Sequence, residues 1–222
     1  MKKYFITGID TSCGKTYATG LISKYLSFNG YGKITTMKAI QTGATPDSIS
    51  PDVIEHRRIM NKPISDIDKD LVTSPYVFKY ACSPHLAAAL EKQIIYLSKI
   101  SDSITYLEQF IDTLVIEGAG GILTPLTQEI SILDFIKELH GCKTILVSSS
   151  KLGSINHTVL SIKEILRHKD IYLSGVIFNE FLHDDPVISD SSYEYLTTLF
   201  PEINFVKITN NENSDYDFSK IL

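Results

Sequence analysis

Short apolar runs alternate along the chain with longer segments whose apolar positions recur at helical spacing. The short runs predict strands at residues 3–7, 33–38, 113–117, 143–148, 172–179 and 204–208. The longer segments predict helices at residues 14–28, 52–60, 84–92, 100–110, 132–139, 155–168 and 191–200. Apolar strands that alternate with helices are typical of a mostly parallel sheet with helices on both faces. The pattern predicts an α/β fold, a three-layer, doubly wound sheet in a single domain over residues 1–222.

The segments between these elements carry weaker signals. Residues 44–51 and 64–74 are expected to form loops, and the polar segment 209–217 a loose tail. Ser83 is the expected N-cap of the helix at 84–92, with Pro84 as its first residue.

Composition narrows the classes of function. The 222 residues carry a net charge of −5 and no long basic run, which argues against nucleic acid as the main partner. The cysteines Cys13, Cys82 and Cys142 form no CxxC pair and are expected to be reduced thiols. The chain contains no run of about 20 apolar residues, so we expect no membrane span and a cytoplasmic location.

The most specific motif is a phosphate-binding loop. Residues 8–16 contain GxxxxGKT between the first predicted strand and the first predicted helix, which is the context that this motif requires. In such a loop the backbone N–H groups hold phosphate oxygens. Lys15 would reach the β and γ phosphates of ATP, and the Thr16 hydroxyl would ligate Mg²⁺. Partition-type ATPases carry an extra lysine four positions before the second glycine, where this chain has Asp10.

Acidic residues follow the loop along the chain. Glu117 ends a predicted strand and precedes a glycine-rich turn, so it is expected at the sheet edge where ligands bind. A carboxylate there would be a second protein ligand for Mg²⁺. Asp52 alone is a weaker signal, because an acid at a helix start is also a common cap or dipole partner.

Several further segments match one family in order along the chain. They are the phosphate loop, Lys38 with Thr42 and Gly43, and residues 73–76, 83–88, 117–121, 124–126, 151–157 and 176–179. With these segments the chain resembles the dethiobiotin synthetases. The resemblance implies a ligase that converts 7,8-diaminopelargonate, CO₂ and ATP to dethiobiotin, ADP and phosphate. It implies a carbamate that is phosphorylated to a carbamic–phosphoric anhydride, on which the second amine then closes the ring.

The resemblance also assigns roles to residues. Lys15 and Lys38 would be catalytic, and Thr16, Asp52 and Glu117 would hold Mg²⁺. Thr11 and Thr42 would contact the diamine. The nucleotide would be bound by Ser12, Cys13, Gly14, Lys15, Thr16, Tyr17, Asp52, Glu117, Gly118, Ala119, Gly120, Asn179 and Glu180.

A second set of residues would act across a subunit boundary. In the resembled family, a helix start from the partner subunit holds the carboxylate tail of the substrate, where free amides and the helix dipole favour an anion. The matching residues are Gly153, Ser154, Ile155 and Asn156, with Tyr195 as a further candidate. This implies a homodimer with shared active sites.

The chain also departs from the family pattern. Lys38 is followed by Ala39 and Ile40 where the family often has Pro-Val, and residues 206–211 match the nucleobase segment poorly. His85 and His157 lie in matching segments but have no metal-ligand spacing, so buried or capping roles are expected. Two alternatives remain open: a partition-like regulatory ATPase that acts through protein partners, and a small-molecule kinase or amidotransferase synthetase domain.

Overall fold

A parallel sheet with helices on both faces forms the framework of the molecule. The computed structural model describes residues 1–180 and 185–222. The strands are β1 (Lys2–Gly8), β2 (Ile34–Lys38), β3 (Ile40–Thr42), β4 (Tyr76–Phe78), β5 (Thr113–Gly121), β6 (Cys142–Ser149), β7 (Tyr172–Asn179) and β8 (Phe205–Ile208). Within the described residues, six of them form the main sheet in the order β2-β5-β1-β6-β7-β8, and neighbouring strands run parallel.

Helices connect the strands. They are α1 (Lys15–Phe28), α2 (Pro51–Ile59), α3 (Asp66–Lys69), α4 (Pro84–Leu90), α5 (Leu97–Glu108), α6 (Ile132–Glu138), α7 (Ser154–Leu166) and α8 (Pro186–Leu199). Among the described helices, none combines the length and apolar character that crossing a bilayer would require. The predicted α/β fold with a mostly parallel, doubly wound sheet is confirmed.

Two buried clusters lie on opposite faces of the main sheet. Successive side chains of a strand point to opposite faces, and Phe5 of β1 accordingly belongs to one cluster while Tyr4 and Ile6 belong to the other. Helices α5 and α6 contribute to the first cluster, and α1 contributes to the second. Because both clusters share the same strands, we propose that the chain is one domain, as the sequence predicted.

The structure corrects several local expectations. Residues 64–74 are not entirely a loop, because Ser65 and Asp68 form a capping box that starts the short helix α3. Strands β3 and β4 pair in a separate two-stranded parallel sheet that the pattern missed; each has three residues, too few to show a period. Helix α8 begins earlier than expected, at Pro186, because Asp185 caps it.

The segment 209–217 is not a loose tail. The Tyr216 hydroxyl accepts a hydrogen bond from the backbone N–H of Thr209 at 3.0 Å, and the Tyr216 ring packs beside the buried Phe218. Helix α1 also holds the segment, because Tyr17 and Lys24 donate to the carbonyls of Thr209 and Glu212. Tyr216, the adjacent Phe218 and the donors on α1 together anchor the segment against that helix.

A buried ion pair ties α2 to α3. The Arg57 guanidinium donates from Nε and Nη2 to the two carboxylate oxygens of Asp68, at 3.0 and 2.7 Å. Ser65 and Thr73 also donate to this carboxylate. Burial raises the pKa of Asp68, but the Arg57 guanidinium and these donors outweigh burial and lower the pKa from 3.8 to about 2.

Replacing Asp68→Asn should therefore destabilise the fold. Because the substitution leaves the Arg57 charge buried without its partner, we expect a loss of about 3–5 kcal/mol at neutral pH, measured by urea unfolding. The stabilisation from ionised Asp68 is present above its unfolded pKa of 3.8 and is lost as the pH falls toward about 2. The difference between the two proteins should shrink across that window.

Asp66→Asn is the matched control, because Asp66 lies in the same short helix with its side chain 89% exposed. Its urea midpoint should equal that of the original chain. Equal midpoints for both variants would show that the Arg57 pair contributes nothing.

Candidate active site

The phosphate-binding loop connects the end of β1 to the start of α1. Gly14 caps α1 in the left-handed conformation, with φ of 99°. A Cβ there would lie 2.0 Å from Nδ2 of Asn179, which donates to the Cys13 carbonyl at 3.0 Å. Glycine is therefore required at position 14 both for its φ angle and for the close approach of β7.

Lys15 lies in the mouth of this loop. Its Nζ donates to the Asp10 carbonyl at 2.7 Å and lies 3.9 Å from the Cys13 sulfur. The aliphatic stem is buried beside Gly8, where a Cβ would contact both Lys15 and Cys13. Burial lowers the pKa of the Lys15 ammonium. An anion bound in the loop would supply the negative charge that favours the ammonium here.

Lys38 and Glu117 meet at the carboxyl ends of neighbouring strands. They are paired in register on β2 and β5, and the Lys38 Nζ lies 2.7 Å from Oε1 of Glu117. The same ammonium lies 2.7 Å from Oδ2 of Asp52 and donates to the Gly118 carbonyl at 3.0 Å. Thr16 at the start of α1 donates to Glu117 Oε1 at 3.0 Å. The structure thus brings together Thr16, Lys38, Asp52 and Glu117, and their roles stay predictions.

Electrostatics keep this cluster charged. Burial lowers the pKa of Lys38, but the carboxylates of Glu117 and Asp52 outweigh burial and raise it above its usual value. Burial likewise raises the pKa of Glu117, but the Lys38 ammonium and His56 outweigh burial and hold it well below its usual range. The lysine is therefore an ammonium, and the glutamate a carboxylate, at neutral pH.

The cluster offers oxygen ligands of the kind that Mg²⁺ prefers. Carboxylate oxygens of Asp52 and Glu117 already contact one cation, the Lys38 ammonium. The Thr16 hydroxyl donates a hydrogen bond to the same oxygen of Glu117 that contacts Lys38. Within residues 1–180 and 185–222, no three His, Cys, Asp or Glu side chains are placed to hold a metal ion. Two carboxylates and a hydroxyl still fit Mg²⁺, because this ion usually takes few protein ligands and completes its shell with water and phosphate oxygens.

A large cavity joins the loop to the cluster. Its volume is about 960 Å³, at the upper end of the range of about 300–1,000 Å³ for ligand pockets. Of the predicted residues, it is lined by Thr11, Ser12, Gly14, Lys15, Thr16, Tyr17, Lys38, Thr42, Asp52, Glu117, Ala119 and Gly120. The start of α4, at Ser83 and Pro84, also lines the cavity, together with Thr124 and Pro125.

Some predicted nucleotide-binding residues do not line this cavity. Asn179 is fully buried behind the phosphate loop, and Glu180 accepts hydrogen bonds from Ser189 and Lys207. Gly118 contributes its carbonyl to Lys38, and Cys13 is buried beneath the loop. The nucleotide contact expected of Asn179 stays a prediction.

The residues predicted to act across a subunit boundary lie outside the cavity of their own chain. They are Gly153, Ser154, Ile155 and Asn156 at the start of α7, and Tyr195 on α8. Beside them, Leu152 is 91% exposed, and Leu123 and Leu160 are more than half exposed. The structure does not bring this set to Lys38 within one chain, and its role in a homodimer stays a prediction.

The sequence reasoning missed several residues of the site. Gln41, Glu55, Cys82 and Glu212 line the cavity, and the fully buried His56 lies 2.7 Å from Glu117 Oε2. His56 had a sequence signal, because it follows Asp52 by four residues and shares its helix face. Glu212 lies in the polar segment 209–217, and only tertiary packing brings it to the cavity.

Gly14→Ala should weaken nucleotide binding without unfolding the chain. The new methyl group would collide with Asn179 and would strain a left-handed backbone by about 1–2 kcal/mol. We expect the affinity for a fluorescent ATP analogue to fall about tenfold or more, a loss of at least 1.4 kcal/mol. Gly141→Ala is the control, since φ is 70° and no atom lies within 4 Å of its would-be Cβ. Unchanged affinity in Gly14→Ala would show that nucleotide binding does not depend on the backbone conformation of the loop at residue 14.

Known proteins resemble this chain in sequence. A family model described as an AAA domain matches residues 2–212. The ATP-dependent dethiobiotin synthetase BioD 2 of Pasteurella multocida is 43% identical over 88% of this chain and 89% of its own length. The protein of the same name from Haemophilus ducreyi is 41% identical over 92% of this chain and 97% of its own length.

Solved structures share the fold at lower identity. A cobyrinic acid a,c-diamide synthase from Mycobacterium smegmatis superposes with a TM-score of 0.54 at 14% identity, over 97% of this chain and 89% of its own. A ParA family ATPase from Chlorobium tepidum superposes with a TM-score of 0.53 at 14% identity, over 96% of this chain and 85% of its own. These similarities support the α/β fold.

Proposed function

The chain belongs to the family of ATP-dependent dethiobiotin synthetases, and we propose that it closes the ureido ring of dethiobiotin. The substrates are 7,8-diaminopelargonate, CO₂ and ATP, and the other products are ADP and phosphate. The observation that carries the proposal is the Lys38 ammonium, held by Glu117 and Asp52 in the same cavity as the phosphate loop.

The chemistry needs a leaving group on the carbamate. One amine of the substrate adds to CO₂, loses a proton and becomes a carbamate. A carbamate oxygen then attacks the γ-phosphorus, and the bond to the leaving ADP breaks. The second amine attacks the carbonyl carbon of the resulting anhydride and loses a proton, and phosphate departs as the ring closes.

The residues of the cavity suit these steps because both reactants are anions. Lys15 would bind the terminal phosphates, and Lys38 would bring its charge to the place where carbamate and γ-phosphate meet. Thr11 and Thr42 line the cavity and would contact the diamine. The cavity volume of about 960 Å³ supports binding of a nucleotide and a second small molecule together.

Mg²⁺ would be held by Thr16, Asp52 and Glu117. When bound, the ion would neutralise charge on the β- and γ-phosphates and orient the phosphoryl group that is transferred. The convergence of two carboxylates and a hydroxyl on a cation supports this assignment.

The proposal is tested by the dependence of ADP formation on the diamine. The protein is incubated with MgATP, bicarbonate and 7,8-diaminopelargonate, and both ADP and the cyclised product are measured. We expect the two products in equal amounts, and little ADP without the diamine. ADP release that ignores the diamine would instead favour a regulatory ATPase.

Lys15→Ala and Lys38→Ala should each lower kcat severely. Loss of one positioned positive group in a reaction of this kind costs about 100- to 1,000-fold in kcat. Lys169→Ala is the control, because Lys169 is exposed and lies outside the cavity. Each variant is checked by circular dichroism, and near-normal turnover in either would refute the role assigned to that lysine.

We also propose a homodimer with shared sites. The start of α7 offers backbone N–H groups beyond that of Ser154, which donates to the Lys151 carbonyl, and the positive end of a helix dipole. These suit the carboxylate of the substrate. The exposed side chains of Leu123, Leu152 and Leu160 support an interface beside that helix start. A helix start that is remote from its own cavity would then contribute to the cavity of the partner.

Mixing two variants that are each defective at a low diamine concentration tests this arrangement. Asn156→Asp places a negative charge beside the helix start and should raise the KM for the diamine, while Lys38→Ala stops the chemistry. After subunit exchange, about half of the dimers carry one of each variant and one intact site, so activity should return to about a quarter of the original. No recovery, with mixed dimers demonstrated by mass spectrometry, would rule out shared sites.

A further inference from the structure

His56 contacts residues of two neighbouring strands, β2 and β5, that carry Lys38 and Glu117. It lies on α2 with its ring fully buried. Its Nδ1 lies 3.0 Å from the Thr36 hydroxyl on β2, and its Nε2 lies 2.7 Å from Oε2 of Glu117 on β5. The ring is thus hydrogen-bonded at both nitrogens, and one of its partners is the carboxylate assigned to Mg²⁺.

Neighbouring hydrogen bonds determine which ring nitrogen carries the proton. Arg57 Nη1 donates to the Thr36 hydroxyl oxygen at 2.7 Å. Guanidinium only donates, so the single hydroxyl hydrogen of Thr36 is available for the His56 ring. All groups are satisfied when Thr36 donates to Nδ1 and the Nε2–H of His56 donates to Glu117. Asp68 anchors Arg57, so the whole chain of hydrogen bonds is fixed at its far end.

The two oxygens of Glu117 therefore have separate partners. Oε2 faces the protein interior and accepts from His56, while Oε1 faces Thr16 and Lys38 at the cavity. Without the histidine donor, the carboxylate could rotate about its last bond, and Oε2 would be buried without a hydrogen bond. The side chain of Glu117 is only 1% exposed, so water cannot replace that donor.

We propose that His56 is a positioning residue, which through its Nε2–H fixes the Glu117 carboxylate with Oε1 directed at the cation site. The inference rests on the proposed function, in which Glu117 binds Mg²⁺. Outer-shell partners of metal ligands typically contribute about 10- to 100-fold in metal affinity. Simple packing by the ring would give no such effect, because shape alone does not orient a carboxylate.

Two amide substitutions separate positioning from packing. In His56→Gln the side-chain nitrogen is as many bonds from the backbone as Nε2 and can donate to Glu117. In His56→Asn the amide corresponds to Nδ1 and stops short of Glu117. Both are neutral, polar and smaller than the ring, so they differ mainly in the reach of the donor.

The readout is the affinity for Mn²⁺, measured by electron paramagnetic resonance on the intact chain with a non-hydrolysable ATP analogue bound. We expect His56→Asn to weaken Mn²⁺ binding about 10- to 100-fold and His56→Gln to stay within about threefold. The Mg²⁺ concentration for half-maximal turnover should rise in the same order, with kcat at saturating Mg²⁺ less affected. Normal Mn²⁺ binding in His56→Asn, or equal weakening in both variants, would overturn the inference.

Glu117→Gln distinguishes this inference from the proposed function. If Glu117→Gln binds Mn²⁺ as tightly as the original protein, the assignment of the metal ligand is wrong. If Glu117→Gln binds weakly while His56→Asn binds normally, only the positioning role fails.

The original protein provides a test that no folding defect can obscure. Nitrogen-15 spectra of the ring should show a proton on Nε2, assigned by loss of the signal in His56→Gln. A proton on Nδ1 alone would leave Nε2 facing Glu117 with no hydrogen between them, and would overturn the proposal.

Discussion

A single buried carboxylate, that of Glu117, organises the site. It lies at the cavity edge of β5 and is contacted by Lys38 from β2, by Thr16 from α1 and by His56 from α2. An uncompensated charge at this depth would cost several kcal/mol, whereas a well-partnered one is tolerated. The buried carboxylate is therefore stable only when β2, β5, α1 and α2 are packed together. A change in the packing of this sheet edge would also change the charges of the site.

The strand order explains how residues far apart in sequence reach that carboxylate. Because β5 inserts between β2 and β1, Glu117 has Lys38 on one side and the phosphate loop on the other. All three strands are parallel, so their carboxyl ends lie at one edge of the sheet, where ligands bind in such folds. The carboxylates of Glu117 and Asp52 keep Lys38 charged at that edge without exposing it to solvent. A positive group is thus available before any phosphate arrives, and little reorganisation is needed on binding.

Local patterns predicted the layers of the fold, the phosphate loop and the strand-end position of Glu117. The roles expected of Lys38 and Asp52 came instead from the family resemblance. The phosphate loop follows from spacing alone, and Glu117 from its position at a strand end. The parts that were missed depend on contacts between distant segments. The short strands β3 and β4 exist only as a pair, and residues 209–217 are ordered by the burial of Tyr216 and Phe218 against α1. The spacing of His56 from Asp52 places it on the same helix face, but its contact with Glu117 depends on the position of a distant strand.

The same sheet supports different chemistry in the fold neighbours, so the scaffold cannot by itself determine the reaction. The distinguishing groups are few and lie at the ends of strands or in loops. Asp10 stands where partition-type loops carry a lysine, and the Asp10 carbonyl instead accepts a hydrogen bond from Lys15 of the same loop. The second positive charge comes from Lys38, at the end of a nearby parallel strand and in the same cavity. A cation there faces a space that a second substrate can enter, and this position favours transfer to a small acceptor over simple hydrolysis.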